Sequence, residues 1–414
     1  MNRLHIAMFT NVYRPLANGV VTSVSSFRRG LIKRGHIVCV MAPHTAEDHL
    51  DEERFVFRYP AVELPLQRYP LTLPVSPFVD HLLPHIQLDL IHAHHPMMLG
   101  RVAARKSRRL KVPLIFTYHT RYHEYSHYVK GVPDELVKEI LETWLAHFMR
   151  DCHHVIVPSE SIRTLLNEIY GIRERVSVLP TGVELSRFAK NSREEARREL
   201  DWSMEPLTIV SVGRLAKEKN WELLLRATQS AIKDHPSLLR LVIIGGGEEK
   251  DHLMDFSQRL GILEKVDFIG SIPPEKIPLY LAASDIFCFA STTETQGLAT
   301  LEAMAAGLPV VAVEASGTSD VVTNGVEGFL TAKDHLALGS RLKDLASDSN
   351  LRRRLGESGR RRATAFSEDR QAARLEEIYN LTLQDYRGGY RGPDMPTGSQ
   401  TALGRFLTHF RRHG

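Results

Sequence analysis

Short apolar runs alternate with helix-patterned segments along this chain, and the alternation falls into two similar halves. In the first half the runs are Leu4 to Thr10, Ile37 to Ala42, Leu88 to His92, Leu114 to Tyr118, Val155 to Pro158 and Val176 to Leu179. In the second they are Leu207 to Val212, Leu239 to Ile244, Val266 to Ile269, Ile286 to Ala290, Val310 to Val313 and Gly328 to Thr331. Alternation at this spacing means parallel sheets with crossover helices, which predicts an α/β chain of two doubly wound domains. The stretch from Thr181 to Glu205 is rich in charge and lacks an apolar strand, so it reads as the linker. The expected organisation is a first domain over 1–183, a linker over 184–205 and a second domain over 206–368. In folds of this class ligands bind beyond the carboxyl ends of the strands, and two facing domains leave a cleft there.

Composition agrees with two ordinary globular domains: 414 residues, 43% hydrophobic and 25% charged. Cys39, Cys152 and Cys288 are isolated in or beside apolar runs, which suggests neither a disulfide framework nor a zinc site and points to a reducing cytoplasm. The N-terminal apolar stretch is too short for a secretory signal, and no run of about 18 apolar residues could span a bilayer. The expectation is a soluble or peripheral protein.

The most informative stretch is Ser291-Thr-Thr-Glu-Thr-Gln-Gly-Leu-Ala-Thr-Leu-Glu302. It leaves an apolar run and enters a helix-patterned segment from about Gly297 to Ala306, which Gly307 and Pro309 end. Glu294 falls in the loop and Glu302 about one turn inside the helix, more than about 8 Å further along the axis. That is poor spacing for two carboxylates sharing one proton. It suits a long anionic ligand with one glutamate at each end and a phosphate at the helix N-terminus by Gly297 and Leu298.

This stretch resembles the E-x7-E signature of family-4 retaining glycosyltransferases, which use nucleotide-sugar donors and have the GT-B fold of two facing Rossmann-like domains. The resemblance implies that Glu294 contacts the donor hexose and Glu302 the ribose. It also implies a C-terminal helix, here 369–386, returning to the N-terminal domain ahead of a basic tail over 387–414. Three further motifs follow in family order. The loop Asn18-Gly-Val-Val-Thr-Ser23 places Gly19 at a helix start, where backbone can approach a phosphate without a Cβ in the way; it is similar to the family's donor-facing glycine loop. In Phe116-Thr-Tyr-His-Thr-Arg-Tyr-His-Glu-Tyr-Ser-His-Tyr128, His119 follows a strand end and matches the histidine that reaches the reacting sugar in the family; His123 and His127 follow at i+4 steps. A neutral imidazole there offers one donor and one acceptor.

In Ser211-Val-Gly-Arg-Leu-Ala-Lys-Glu-Lys-Asn220, Arg214 and Lys219 match the family's diphosphate-binding pair, and fixed cations there stabilise the charge that builds on a departing diphosphate. Lys217 reads as a solvated helix start. Ile272, in Phe268-Ile-Gly-Ser-Ile272, is the residue whose backbone the resemblance sets against the nucleobase. Ile243-Ile-Gly-Gly-Gly-Glu-Glu-Lys250 lacks the third glycine of a dinucleotide fingerprint and reads as a helix N-terminus capped by acid. His92-Ala-His-His95 has a chelating spacing but no carboxylate or cysteine beside it, so its histidines are expected to line the cleft, with no metal and no cofactor beyond the nucleotide-sugar substrate.

The glycine loop, Ile91-His-Ala-His94, Thr117-Tyr-His-Thr120 and Thr293-Glu-Thr-Gln-Gly-Leu298 look like the branch that includes bacterial diacylglycerol glucosyltransferases. That branch implies glucose carried on UDP, a membrane lipid acceptor and peripheral attachment to the inner face of the cytoplasmic membrane. Three features could serve a bilayer: Gly100 to Lys111, with six cations and no acid; the proline-broken apolar segment Leu71 to Ile86; and the basic tail. A net charge of +4 without aromatic-basic interleaving sets nucleic acid aside. Two other readings stay open: a transferase with a soluble sugar or sugar-phosphate acceptor, and a catalytically silent GT-B protein that binds a nucleotide.

Overall fold

The computed structural model describes residues 3–44, 54–62, 71–122, 134–234 and 239–390. The chain divides into two units, Met1–Thr181 with Gln371–Gly414, and Gly182–Arg370. The first unit contains strands β1 (His5–Phe9), β2 (Ile37–Pro43) and β3 (Val56–Tyr59), then an antiparallel pair, β4 (Ala61–Val62) and β5 (Leu71–Thr72). After these come β6 (Leu90–Ala93), β7 (Leu114–Thr117), β8 (His154–Val157) and β9 (Val176–Val178). Its helices are α1 (Gly19–Lys33), α2 (Pro77–Leu82), α3 (Leu99–Leu110), α4 (Asp134–Arg150) and α5 (Glu160–Tyr170).

Among the described residues seven strands form one parallel sheet in the order β3-β2-β1-β6-β7-β8-β9. Both faces are covered, which is why the side chains of its central strands β6 and β7 are buried throughout. One face packs Val102, Phe148, Ile162 and Leu166 of α3, α4 and α5. The other packs Val24, Phe27 and Leu31 of α1 against Leu375, Ile378, Tyr379 and Leu383. Those last four belong to the terminal helix, Glu368–Arg387, which ion pairs Arg34–Glu376 and Arg175–Asp385 also fasten to this unit.

The second unit begins with α6 (Arg193–Glu199), then β10 (Leu207–Val212), α7 (Trp221–Asp234), β11 (Leu239–Ile244), α8 (Lys250–Arg259) and β12 (Val266–Gly270). It continues with α9 (Ile277–Ala282), β13 (Ile286–Phe289), α10 (Leu298–Ala306), β14 (Val310–Val313), β15 (Gly328–Thr331), α11 (His335–Ser347) and α12 (Ser349–Ala363), which precedes the terminal helix, α13. Its parallel sheet has the order β12-β11-β10-β13-β14-β15. Strands β10 and β13 are thus adjacent, with α7 and α10 starting beyond their carboxyl ends, the switch point where such sheets open to ligands.

Two expectations change. Strand β3 goes unseen in the sequence because it is an edge strand with an arginine in its middle and pairs on one side only. The segment expected as a linker, 184–205, is built into the second unit. Arg197 on α6 is fully buried and donates to the carbonyls of Ala283, Ser203, Met204 and Pro206 and to Asp285 at 2.7 Å. Asp285 also receives Arg193 and the backbone N–H of Thr208. Its charges are spent inside the fold, satisfying carbonyls that burial would otherwise leave unpaired.

Candidate active site

The second unit gathers most of the residues singled out from the sequence beyond the ends of β10, β12 and β13. Lys219, in the turn after β10, donates to the Glu294 carboxylate in the loop after β13. Burial alone would push Glu294 up, but the Lys219 charge and hydrogen bond hold it below the ordinary glutamate value. Asn220 fixes the two loops to each other. It takes a left-handed backbone conformation (φ +53°) that asparagine tolerates, and its amide donates to the Ala290 carbonyl at 3.1 Å and to Thr292 Oγ1 at 3.3 Å. Arg214 pairs with Glu218 and, at 3.4 Å, with Glu248, while its carbonyl accepts the Trp221 indole N–H at 2.9 Å.

Gly297 caps α10 in the left-handed region (φ +75°), with no side-chain cap and no acidic residue in the first turn. Leu298 is the first helical residue, so no side-chain cap or first-turn acid competes with an anion for the positive dipole end of α10. The hydroxyls of Thr300 and Thr318 are buried without a hydrogen-bond partner among the described residues. Both residues border Gly297: a Cβ there would stand 3.6 Å from Thr300 Oγ1 and from Thr318 Cα. Gly317 backs the loop so closely that a Cβ on it would lie 2.7 Å from the Glu294 carbonyl oxygen and 2.8 Å from the Gln296 nitrogen. Glu302, half-buried one turn inside α10, is pushed up to about 7 by burial, against the pull of Arg187. Ile272 follows β12 and packs against the apolar cluster of Val242, Ile244 and Leu281.

In the first unit, Gly19 is the first residue of α1 and is exposed; Asn18 caps that helix by accepting the Val21 N–H at 2.9 Å. His119, just beyond β7, is half-buried and lies nearly parallel to His94, edge to edge, with its Nε2 2.9 Å from His94 Nδ1. Burial, then neighbouring histidines, hold both rings well below the usual imidazole value, so both are neutral at neutral pH. His123 and His127 lie outside the described residues.

Three expectations about side chains are corrected. His92 and His94 are fully buried and so line no open surface; His92 is held by the Tyr379 hydroxyl and Thr117 Oγ1, each at 2.7 Å. Glu249 makes no side-chain cap on α8, and Glu248 turns to Arg214 instead. The glycines before it serve close approach: a Cβ on Gly245 would meet the Gly213 carbonyl oxygen at 1.9 Å, and one on Gly247 the Leu215 carbonyl oxygen at 2.2 Å. The six cations of 101–111 do not make a uniform basic face. Lys106 is buried on Asp80, Arg101 and Arg108 share Asp151, and Arg105 reaches the Pro74 carbonyl. The sequence reading missed Asn220, Gly317, Thr300 and Thr318; Gly317 and Asn220 carried the available signal, as residues able to take a positive φ near strand ends.

The family comparisons divide the chain much as its topology does. Residues 17–187 match the family described as Glycosyltransferase Family 4, and residues 192–362 match Glycosyl transferases group 1. An alpha-monoglucosyldiacylglycerol synthase of Streptococcus pneumoniae is 31% identical over 367 residues, covering 84% of this chain and 80% of that protein. The chain belongs to this family of glycosyltransferases. The transferase is also 30% identical to a D-inositol 3-phosphate glycosyltransferase of Nocardia farcinica, over 80% of this chain and 74% of that one. Its fold matches the structure of Anabaena Alr3699/HepE in complex with UDP and glucose, with a TM-score of 0.75 at 19% identity over 92% of this chain and all of the other. The architecture is therefore GT-B. No helix among the described residues of the transferase is long and apolar enough to cross a membrane.

Proposed function

We propose that the protein transfers a hexose, glucose first among candidates, from a nucleoside diphosphate sugar to a membrane lipid such as diacylglycerol, with retention of configuration. The observation that carries the donor half is the conjunction of Lys219, Glu294 and the uncapped N-terminus of α10 in one pair of neighbouring loops. A diphosphate would replace Glu294 as a partner of Lys219, add Arg214, and accept from the amides of Gly297 and Leu298 and the two unpartnered threonine hydroxyls. Those cations and the helix dipole stabilise the leaving diphosphate, so the proposal needs no metal and no cofactor. Glu302 would accept from ribose hydroxyls, Ile272 would present backbone to the base, and Gly19 would admit close approach at the start of α1. Glu294 and His119 would hydrogen-bond the hexose. No general base is assigned, because the departing diphosphate can take the acceptor proton.

Support for the lipid comes from the name of the pneumococcal relative, an alpha-monoglucosyldiacylglycerol synthase, and from one surface. Val62 and Leu71 face each other across β4 and β5, and both are exposed, as are Leu73, Val75 and Phe78. Phe78 is 67% exposed, and the Arg105 guanidinium borders this stretch at Pro74. An apolar surface edged by a cation suits an anionic bilayer and a peripheral enzyme. The inositol phosphate relative favours a second reading, a soluble acceptor. Mass analysis of products after incubation with a panel of nucleotide sugars, UDP-glucose included, and either lipid vesicles or soluble acceptors tests both. A glycolipid product supports the first reading, and transfer only to a soluble acceptor replaces it with the second.

A further inference from the structure

Four histidines of the first unit stand at or just beyond the ends of β6 and β7, and their hydrogen-bond partners determine where the protons sit. His95 Nδ1 receives the backbone N–H of Asn11 at 3.1 Å, a donor that cannot reverse, so His95 carries its own proton on Nε2. The contact between His94 and His119 contains no such fixed donor. His94 Nδ1 and His119 Nε2 are 2.9 Å apart, so one of these two nitrogens bears the hydrogen between them.

The other nitrogen of His94 decides which. His94 Nε2 is buried and meets no hydrogen-bond partner among the described residues. A buried N–H left without an acceptor is rarer and costlier than an acceptor left without a donor. His94 therefore keeps its hydrogen on Nδ1, donates it to His119 Nε2, and leaves its own Nε2 as a bare lone pair. His119, accepting at Nε2, must then carry its hydrogen on Nδ1. The His94 ring is held for this by His92, whose ring centre lies 4.1 Å away and whose two nitrogens are fixed by Tyr379 and Thr117.

We propose that His94 is a positioning residue that locks His119 in its Nδ1–H form, so that His119 meets a ligand oxygen as a hydrogen-bond donor and never as a base. The consequence for the sugar rests on the function proposed above; the tautomer does not. The test uses the full-length protein labelled with 15N-histidine, with long-range proton–nitrogen spectra and the signals of His119 identified by their loss in His119→Asn. In the unmodified protein His119 should show a protonated Nδ1 and a bare Nε2. In His94→Leu the donor is gone, and His119 should shift toward the Nε2–H form, while kcat falls about tenfold with little change in KM for the donor. His94→Asn can donate an amide hydrogen from the δ position, and should restore both the tautomer and most of kcat. A His119 protonated at Nε2 in the unmodified protein overturns the proposal, even should His94→Leu fail to fold. So does a His94→Leu variant whose kcat falls while the His119 tautomer is unchanged. Absence of lipid product would remove the proposed acceptor and leave the tautomer spectrum as it was.

Discussion

Lys219 and Glu294 are each other's counter-ion across the loops after β10 and β13, although one is assigned to phosphate and the other to sugar. Because burial raises Glu294 and Lys219 lowers it, removing the lysine leaves a buried carboxylate unpaired. Lys219→Met should cost on the order of 1 to 3 kcal/mol in thermal unfolding at pH 7, and Glu294→Gln in the same background should recover most of it. The depressed Glu294 value means that the pair contributes above its ordinary 4.5 and is lost as pH falls further. Strictly additive losses in the two single variants and the double variant would show that the pair carries no energy.

Donor affinity depends on the same cations. Arg214→Ala and Lys219→Ala should each weaken nucleoside diphosphate binding by about 1.5 to 3 kcal/mol, the size of one charge-assisted hydrogen bond. Titration calorimetry with UDP and GDP reads this directly, and unchanged affinity in both variants would remove the diphosphate from this place.

Groups assigned to the hexose should behave differently. His119→Ala and Glu294→Gln should lower transfer about a hundredfold or more while shifting diphosphate affinity only a few-fold, since their contacts strengthen at the reacting sugar. Turnover near that of the parent in either variant would take that residue out of the reaction.

Glu302 gives a pH signature. Its folded value is raised to about 7 from 4.5, so its contribution to stability is present below pH 4.5 and is lost as pH rises through 7. Glu302→Gln stays neutral and should match the parent near pH 4, below the ordinary value of 4.5, then exceed it at about pH 8.5. With allowance for partial exposure, a difference on the order of 1 kcal/mol corresponds to about 2 to 4 °C in Tm. Parallel melting curves across that range would mean that the carboxyl titrates as an ordinary surface group.

The membrane surface can be separated from the active site. Leu73→Asp with Phe78→Asp should reduce binding to anionic vesicles at least tenfold, given about 1.5 to 3 kcal/mol for each large apolar side chain withdrawn from water. Arg105→Glu should reduce binding at low salt and matter less at high salt. Donor hydrolysis should be unchanged in both variants. Vesicle binding equal to the parent's would leave these side chains as plain surface and shift weight to the soluble acceptor.

What the sequence disclosed was whatever depends on local pattern. The second unit's strands are largely apolar runs, broken by single residues such as Arg240 and Asp267, and each appears within a residue or two of its expected place; α10 begins at Leu298, beside the anticipated Gly297. The side-chain errors share one cause, that composition does not show partners. Arg197 looks like a linker charge until Asp285 and four carbonyls surround it. The cations of α3 look like a basic face until Asp80 and Asp151 are found opposite them, from segments far off in sequence. Thr300 and Thr318 are ordinary residues in the sequence, and only burial without a partner singles them out.

The first unit is interrupted in the chain by the whole of Gly182–Arg370. On a ribosome adding about 5 to 20 residues each second, β1 to β9 emerge about 10 to 40 seconds before the helix that carries Leu375 and Tyr379. For that interval one face of the sheet has only α1 as cover, and His92 lacks the hydroxyl it holds at 2.7 Å. The second unit, continuous in sequence, can complete its core during the wait. A helix translated after the whole second unit thus completes the cover of the first-made sheet, and a chain cut short after Arg370 would leave that sheet partly exposed however well the rest had folded.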